Sequence, residues 1–270
     1  MNTIIINKRK YNIKKFDTGG NNLGYIDFAK NKIGKILYLS EERKKNKTLN
    51  TDGYNENPYR EIEIHKECNK LLKKKLTSNL VKYYKYYEYN NNIILIIEKY
   101  DGNLKSIIDK LTLNEIWSIF GQIFMTFIIL QDNLGFYQGD FGLTNILYKK
   151  INKTKKYFEY NINGIIYKIP NEGYKIVIAD YGNAIINKFI LADYEKKYYY
   201  KYLENRIELY EILLLLNKKI KCKVLQDIIY EKIRFKLFND IYTIDINYTT
   251  PANKTELLNK LYNKEINCII

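Results

Sequence analysis

One stretch decides the fold, Tyr137-Gln138-Gly139-Asp140-Phe141-Gly142-Leu143-Thr144-Asn145-Ile146-Leu147-Tyr148. It places an acid and an amide five residues apart on a glycine-containing loop that leads into an apolar strand, and a second acid, Asp180, ends a later apolar run. Phosphoryl transfer needs a carboxylate that orients the attacking hydroxyl and oxygen ligands from separate segments that hold Mg²⁺. The spacing therefore indicates this chemistry, with Asp140 at the hydroxyl and Asn145 and Asp180 on the metal.

The same residues resemble the signature of eukaryotic-type protein kinases. The catalytic-loop pattern H-R-D-L-x-x-x-N of that family appears as Gln138-Gly139-Asp140-Phe141 followed by Asn145, and D-F-G appears as Asp180-Tyr181-Gly182. Each motif alone is also compatible with an ordinary loop or turn. The resemblance therefore depends on whether the other kinase elements stand in kinase order along the chain.

Composition bounds the alternatives. The chain has 270 residues, 46% of them hydrophobic, which is enough for one large domain or two modest lobes. Its 45 basic and 30 acidic residues give a net charge of +15, and the lysines are scattered among Asn, Ile and Tyr. This pattern favours a solvated surface over a nucleic-acid footprint, so nucleic acid is not expected to be the primary partner.

Cysteine and histidine are few. Three cysteines far apart, without a leading signal peptide, indicate a reducing compartment and a cytoplasmic protein, or host cytoplasm if the source is viral. The single histidine, His65, argues against a multi-histidine zinc site. The most apolar segment, 117–134, contains Gln122 and Gln131, which predicts a buried helix and no membrane span.

A glycine-rich stretch lies among the first predicted strands. Those strands are Thr3–Ile6, Tyr11–Phe16, Tyr25–Ala29 and Lys35–Leu39. The stretch from Asp17 to Gly24 resembles the kinase glycine-rich loop, whose backbone amides approach nucleotide phosphates, and an ordinary hairpin turn is the alternative. The resemblance implies a nucleotide-binding role for Gly19, Gly20, Gly24, Ile26 and Ala29.

The lysine that grips the nucleotide phosphates in kinases has no single position here. Alignment of the V-A-x-K run on Leu37–Ser40 puts Ser40 at the lysine position. Lys35 has the strand parity to point into the cleft, and Lys30 or Lys32 are alternatives from the neighbouring strand or turn. Strand register alone leaves open whether one of these lysines serves or none does.

Two further elements resemble the kinase N-lobe. Pro58 starts a predicted helix through Leu72 that is similar to the kinase C helix, and Glu61 matches its ion-pairing glutamate. An apolar strand then ends in Glu98-Lys99-Tyr100, which resembles the hinge. The resemblance implies that backbone groups from Glu98 to Tyr100 hold adenine.

Capping signals define the helices that follow. Leu104 to Lys110 predicts a short helix. Thr112 and Glu115 form a capping box before a long apolar helix that Gly135 ends, immediately before the catalytic-loop motif.

The 34 residues between Asn145 and Asp180 exceed the short hairpin typical of kinases. Residues 157–178 predict strands around an Asn163-Gly164 turn and resemble the inserted hairpin of haspin-like kinases and kinases of large DNA viruses.

Only 88 residues follow Gly182, without an A-P-E motif, so activation-segment regulation is expected to be absent or unusual. A helix is predicted at 205–216, where Glu208 either braces the catalytic loop or is an ordinary helix residue.

Together these elements predict an α+β fold with bilobal kinase architecture. The N-lobe would be residues 1–98 and the C-lobe 99–270, with a hairpin insertion near 151–176. The resemblance implies an ATP- and Mg²⁺-dependent serine/threonine kinase that acts on a protein substrate and is open to a regulatory protein partner. The alternative is a catalytically impaired pseudokinase that serves as a binding or scaffolding module, because Ser40, Gly139 and Gly142 occupy basic positions of the family.

Overall fold

A computed structural model describes residues 3–14, 22–41, 44, 57–191, 196 and 199. This part of the chain is a mixed α+β structure with several small antiparallel sheets, which confirms the predicted class. The helices with assigned bounds are α1 (Pro58–Lys73) and α2 (Leu113–Leu134). The strands are β1 (Thr3–Ile6), β2 (Arg9–Asn12), β3 (Asn22–Ala29), β4 (Lys32–Tyr38), β5 (Tyr83–Tyr89), β6 (Asn92–Glu98), β7 (Gly102–Asn103), β8 (Ile146–Lys150), β9 (Tyr157–Ile162), β10 (Ile165–Pro170) and β11 (Tyr174–Ile178).

The N-terminal sheet has the order β3-β4-β6-β5 and buries apolar side chains on both faces. One face carries alternate residues such as Ile36 and Ile94, which the β1–β2 hairpin covers with Ile4 and Ile6. The residues of opposite parity form a second cluster with Tyr59 and Ile62 of α1, among others. Helix α1 therefore lies against one defined face of this sheet.

Helix α1 begins as its sequence predicts. The Asn57 side chain accepts a hydrogen bond from the Tyr59 amide at 3.0 Å, and Pro58 stands in the first turn. Ile62 faces the N-terminal sheet, whereas Ile64 and Cys68 face the larger cluster built on α2. The helix thus joins the two apolar clusters, and residues between its two buried stripes lie at their boundary.

Helix α2 is the centre of the larger cluster. Thr112 and Glu115 form the predicted capping box, and Gly135 ends the helix in the left-handed conformation at φ 55°. By length and hydropathy α2 meets the criteria for a membrane span, yet 78% of its most apolar window is buried within the protein. That burial agrees with the prediction of a core helix.

A neutral polar network ties α2 to the inserted hairpin and to β11. The Asn79 amide donates to Gln122 Oε1 at 2.9 Å and to the Ile176 carbonyl at 2.7 Å, while the Tyr160 hydroxyl donates to Asn79 Oδ1 at 2.7 Å. Gln122 also donates to the Tyr174 carbonyl at 2.9 Å. The predicted hairpin is confirmed as β9 and β10 around Asn163-Gly164, and this network fixes it to the core.

Two local predictions need correction. The expected helix from Leu104 to Lys110 is a pair of 3₁₀ turns that meet at Ile107, because the backbone hydrogen bonds span three residues and Asn103 caps the first turn. The second strand, predicted around Tyr11–Phe16, runs from Arg9 to Asn12, and Lys14 forms only an isolated bridge with Tyr25. Lys15 and Phe16 lie outside the described residues. The helix expected at 205–216 lies outside the described residues.

Candidate active site

The ammonium of Lys35 lies between two carboxylates from distant parts of the chain. Its Nζ is 2.9 Å from Glu61 Oε1 and 2.7 Å from Asp180 Oδ1. The side chains of Lys35 and Glu61 are 9% and 4% exposed, whereas that of Asp180 is 35% exposed. Of the lysines left open by the sequence, Lys35 is therefore the one that meets the predicted ion-pairing glutamate, and Ser40 lies beyond the end of β4.

Strand register places this lysine. Lys35 is opposite Tyr25 on β3 and Leu95 on β6, so it stands in the middle of the sheet. Its neighbours of the same parity, Leu37 on β4 and Leu95 on β6, belong to the cluster that packs on α1. The lysine thus points at the first turns of α1, where Glu61 is the acidic residue.

The charges of Lys35 and its two acidic partners determine the ionisation of Lys35 and Glu61. Burial by itself lowers the pKa of Lys35, but the nearby charges of Glu61 and Asp180 outweigh burial and hold it above its ordinary value. Burial raises the pKa of Glu61, and the charge of Lys35 together with His65 outweighs that effect and lowers it to about 2. Both groups are charged at neutral pH.

Asp140 and Asn145 face each other across the catalytic-loop motif. The Asn145 side-chain amide donates to the Asp140 carbonyl at 2.9 Å and to its carboxylate Oδ2 at 3.2 Å. The Asn145 carbonyl oxygen of the side chain is 3.4 Å from the Thr144 hydroxyl. Asp140 is exposed, so its carboxylate is accessible from solvent.

Antiparallel pairing brings this loop to Asp180. Strand β8 begins after Asn145 and β11 ends before Ala179, and Ile146 pairs with Ile178. The start of one strand therefore adjoins the end of the other, and the Ala179 amide donates to the Asn145 backbone carbonyl at 2.9 Å. The residues expected at the metal, Asn145 and Asp180, are held at the same edge of one small sheet.

Gln138 fixes the backbone at Asp180. Its buried amide Nε2 donates to the Ala179 carbonyl at 3.1 Å and to the Asp180 carbonyl at 2.7 Å. Asp180 has φ 59°, a left-handed conformation that is uncommon for a residue with a side chain. The two hydrogen bonds stabilise this conformation, which directs the carboxylate to Lys35.

The backbone at Gly139 leaves no room for a side chain. Its φ is 73°, and a Cβ atom there would approach the Asn183 carbonyl oxygen to 2.6 Å. The loop therefore runs against the segment that follows Asp180, and an arginine cannot take this backbone position without a shift. Gly142 has open space around it, with the Thr144 hydroxyl the nearest atom at 3.7 Å.

The Tyr181 and His65 side chains pack against each other beside Glu61. The two rings make an edge contact with centroids 4.8 Å apart, and the Tyr181 hydroxyl donates to the Ile178 carbonyl at 2.7 Å. His65 Nε2 is 3.8 Å from Glu61 Oε1. Burial lowers the pKa of His65 despite the opposing effect of Glu61, so the imidazole is neutral at physiological pH.

The structure separates some residues of the expected nucleotide site. Gly24 is described at φ 134°, close to the Lys14 carbonyl, whereas Gly19 and Gly20 lie outside the described residues. Ile26 is fully buried on the sheet face opposite to Lys35, because it has the other strand parity. Ala29 is exposed at the end of β3. Ile26 and Ala29 are therefore not gathered with the carboxylates.

The hinge-like stretch has one backbone donor for which the described part of the chain supplies no acceptor. The amides of Glu98, Lys99 and Asp101 donate to carbonyls of Lys82, Asn31 and Tyr148 at 2.9, 3.0 and 2.9 Å. Among the described residues, no acceptor is found for the intervening amide of Tyr100. The Tyr100 hydroxyl and Lys149 contact the Glu98 carboxylate at 3.1 and 3.0 Å, so the Glu98 side chain is held by protein partners.

The oxygen ligands fit Mg²⁺ better than a transition metal. Within the described ranges, no three His, Cys, Asp or Glu side chains converge on one point. Mg²⁺ needs only one or two carboxylates when phosphates and waters complete its octahedron. Asp180 offers a partly exposed carboxylate and Asn145 an amide oxygen at the same edge of the sheet, and both are oxygen donors of the kind that Mg²⁺ binds.

No family model matches the chain, and no curated protein matches it. Function therefore has to follow from the side chains themselves.

The sequence alone did not reveal two of the contacts that shape the site. In the sequence Gln138 differs from the family pattern only by replacing histidine, but its buried amide bridges two carbonyls in the structure. Arg60 donates to the Ala184 carbonyl at 3.1 Å and so ties α1 to the segment after Asp180. In the sequence, the cue to this contact is that Arg60 directly precedes Glu61 in α1.

Proposed function

We propose that this protein is an ATP-dependent protein kinase that transfers the γ-phosphoryl group to serine or threonine hydroxyls. The observation that carries the proposal is the position of Lys35 between Glu61 and Asp180, at 2.9 and 2.7 Å. A buried lysine clamped by two acids from separate segments provides a fixed positive charge at the edge of a metal site.

Each residue has a role in this proposal. Bound Mg²⁺·ATP supplies the phosphoryl group and neutralises its developing charge. Asp180 and Asn145 hold the metal, and Lys35 contacts the phosphates while Glu61 keeps it in place. Asp140 orients the substrate hydroxyl and accepts its proton. The Tyr100 amide donates to the adenine edge.

The described elements support the bilobal arrangement that the proposal requires. The sheet and α1 form one apolar cluster, α2 with the hairpin forms another, and the hinge-like stretch at Glu98 to Tyr100 connects them. The N-lobe would comprise residues 1–98 and the C-lobe the rest. The carboxylates of Asp140 and Asp180 would then lie on the C-lobe side of the cleft.

A scaffolding pseudokinase is the second candidate. It is favoured by the surroundings of Asp140, because Gly142 has no basic side chain among its nearest atoms and Gly139 excludes arginine sterically. The negative charge on a transferring phosphoryl group would then lack one cationic partner. The two functions differ only in turnover, so nucleotide binding alone does not separate them.

The test measures transfer from γ-labelled ATP to a mixed basic and acidic protein substrate, with thermal stability followed in the same samples. Wild type is expected to transfer label and to be stabilised by Mg·ATP, and Asp180→Ala to do neither. Glu159→Ala, an exposed acid on the hairpin, serves as the matched control and should behave as wild type. Stabilisation without transfer would assign the scaffold, and the absence of both would remove ATP from the account.

A further inference from the structure

The outer face of the N-terminal sheet combines aromatic rings with lysines. This face is the one that carries Ile36 and Ile94, opposite to the side that packs on α1, and the β1–β2 hairpin covers its apolar centre with Ile4 and Ile6. Strand parity and ring contacts place six aromatic side chains on or around it, which we call the aromatic face: Tyr11, Phe28, Tyr38, Tyr84, Tyr87 and Tyr89. Tyr38 is 54% exposed, and the other rings are partly exposed.

The rings of this face are arranged in contact with each other. Tyr11 and Phe28 stack with centroids 5.4 Å apart and planes 10° from parallel, and Tyr87 lies 6.0 Å from Phe28. The Asn7 amide donates to the Tyr87 hydroxyl at 3.2 Å, which holds the β1–β2 turn beside this ring. These contacts pre-order Tyr11, Phe28 and Tyr87, so little freedom of these three side chains remains to be lost on binding.

Lysines approach the same rings. The ammonium groups of Lys32 and Lys82 lie 4.1 and 5.4 Å from the centroid of Tyr84, and that of Lys85 lies 4.8 Å from the centroid of Tyr87. In the absence of a ligand these are cation–π contacts. A flat ligand that stacks on Tyr84 or Tyr87 would move the lysines to its rim, where a phosphate group would receive them.

No acid of β3 to β6 opposes these charges. Asp27 forms ion pairs with Lys14 and Lys99. Glu98 accepts a hydrogen bond from Lys149. Glu88 accepts one from the Tyr59 hydroxyl on the α1 side of the sheet. The described strands β1 and β2 contain no acidic residue. The aromatic face is therefore complementary to a ligand that carries both flat rings and repeated negative charge.

We propose that the aromatic face binds single-stranded nucleic acid. Bases stack on the rings of Tyr38, Tyr84 and Tyr87. Backbone phosphates contact the ammonium groups of Lys32, Lys82 and Lys85. A single strand exposes the base faces that such rings require, whereas a duplex hides them in its own stack. Binding is independent of phosphoryl transfer because Lys35 and Asp180 lie on the other side of the sheet. The surface serves a second partner beside the protein substrate.

The test uses fluorescence anisotropy with a labelled oligothymidylate of about 20 nucleotides, longer than the roughly 4–16 that one small domain covers. Tyr38→Ala removes a ring that is 54% exposed and belongs to none of the three apolar clusters of the described residues. This change should weaken binding at least about 5-fold, the lower end of the loss per stacked base. Tyr157→Ala, a ring 43% exposed on the distant hairpin, is the matched control and should leave affinity unchanged.

Charge is tested by the salt dependence of the same complex. The combined change of Lys32, Lys82 and Lys85 to Gln should reduce the slope of log K against log salt by about 2, from about 0.7 for each phosphate contact on a single strand. The control changes exposed Lys73, Lys74 and Lys110 to Gln, with the same loss of charge, and should keep the slope.

Three results would overturn the proposal: equal affinity for the duplex of the same sequence, equal loss in the two triple variants, or no binding at physiological salt. Vesicles of mixed phosphatidylserine and phosphatidylcholine that bind more tightly than the oligonucleotide would assign the face to membranes instead. Asp180→Ala should bind the oligonucleotide as wild type does. Failure of the kinase proposal is thereby distinguished from failure of this one.

Discussion

Two buried polar clusters in this protein are built in opposite ways. The network of Asn79, Gln122 and Tyr160 is neutral, and each of its amides has partners at 2.7 to 2.9 Å. The cluster of Lys35, Glu61 and Asp180 is charged, and with a neutral His65 it carries +1 − 1 − 1, a net −1. The first is complete, whereas the second retains negative charge and a carboxylate that is 35% exposed.

The difference separates a structural role from a functional one. A satisfied neutral network holds α2, the hairpin and β11 together and needs nothing more. Buried charge is costly to desolvate, and an ion pair contributes little net stability over apolar residues. Among the described residues this charged cluster lacks one cation, and the proposed function assigns that place to Mg²⁺.

The largest expected effect concerns Asp180. Asp180→Ala removes the proposed metal ligand and should reduce kcat about 10³-fold, which corresponds to about 4 kcal/mol of transition-state stabilisation. The unfolding free energy should change far less, since this carboxylate is partly exposed. Label transfer at saturating ATP measures the first quantity, and urea unfolding measures the second. Equal loss of both would make Asp180 a structural residue.

The second prediction concerns Lys35. Lys35→Met leaves Glu61 buried without its partner and should destabilise the fold by about 3–5 kcal/mol, whereas the double change with Glu61→Leu should recover most of that loss. Lys175→Met is the control, because burial lowers the pKa of Lys175, so its charge is poorly accommodated. That substitution should be neutral or stabilising. A double variant as unstable as the single one would contradict the ion-pair account.

The neutral network gives a smaller and purely structural effect. Asn79→Leu removes the side-chain donor to the Ile176 carbonyl and should cost about 1–3 kcal/mol for that unsatisfied group. Tyr160→Phe removes one donor and should cost about 1 kcal/mol. Residual kcat measured well below the melting temperature should be unchanged in both. A selective loss of kcat would place this network in the active site.

The smallest effect is a pH dependence from the single histidine. The folded pKa of His65 is below its ordinary value, so the unfolded chain binds the proton more readily. Stability is thus full above the unfolded pKa of about 6.5 and falls as pH drops through it, by at most about 1.4 kcal/mol per pH unit. Chemical unfolding between pH 5 and 7, compared with His65→Gln, measures this slope. Identical slopes would show that another group titrates.

Local signals predicted the elements that depend on neighbours in sequence. The capping box at Thr112 and Glu115, the stop at Gly135 and the Asn163-Gly164 turn each rest on a few adjacent residues, and each is confirmed. The same logic failed at Leu104 to Lys110, where the helix propensity was too weak to extend beyond 3₁₀ turns.

The site was only partly predictable, because it depends on contacts between distant segments. Glu61, Asp140, Asn145 and Asp180 were identified from their motifs, but the choice of Lys35 over its neighbours required the register of β4 against β6 and α1. The bridging role of Gln138 depends on a carbonyl 42 residues away along the chain. Such contacts leave no periodic signal in the sequence.

The central claim of the proposed function is that Asn145 and Asp180 hold one divalent ion beside Asp140, together with nucleotide phosphates. Paramagnetic broadening by Mn²⁺·ATP in amide NMR spectra tests it most directly, since the effect falls steeply with distance from the ion. The account predicts selective broadening of Asn145, Asp180 and their neighbours, none on the hairpin at Asn163, and loss of the effect in Asp180→Ala. Broadening spread evenly over the surface, or centred away from these residues, would contradict it.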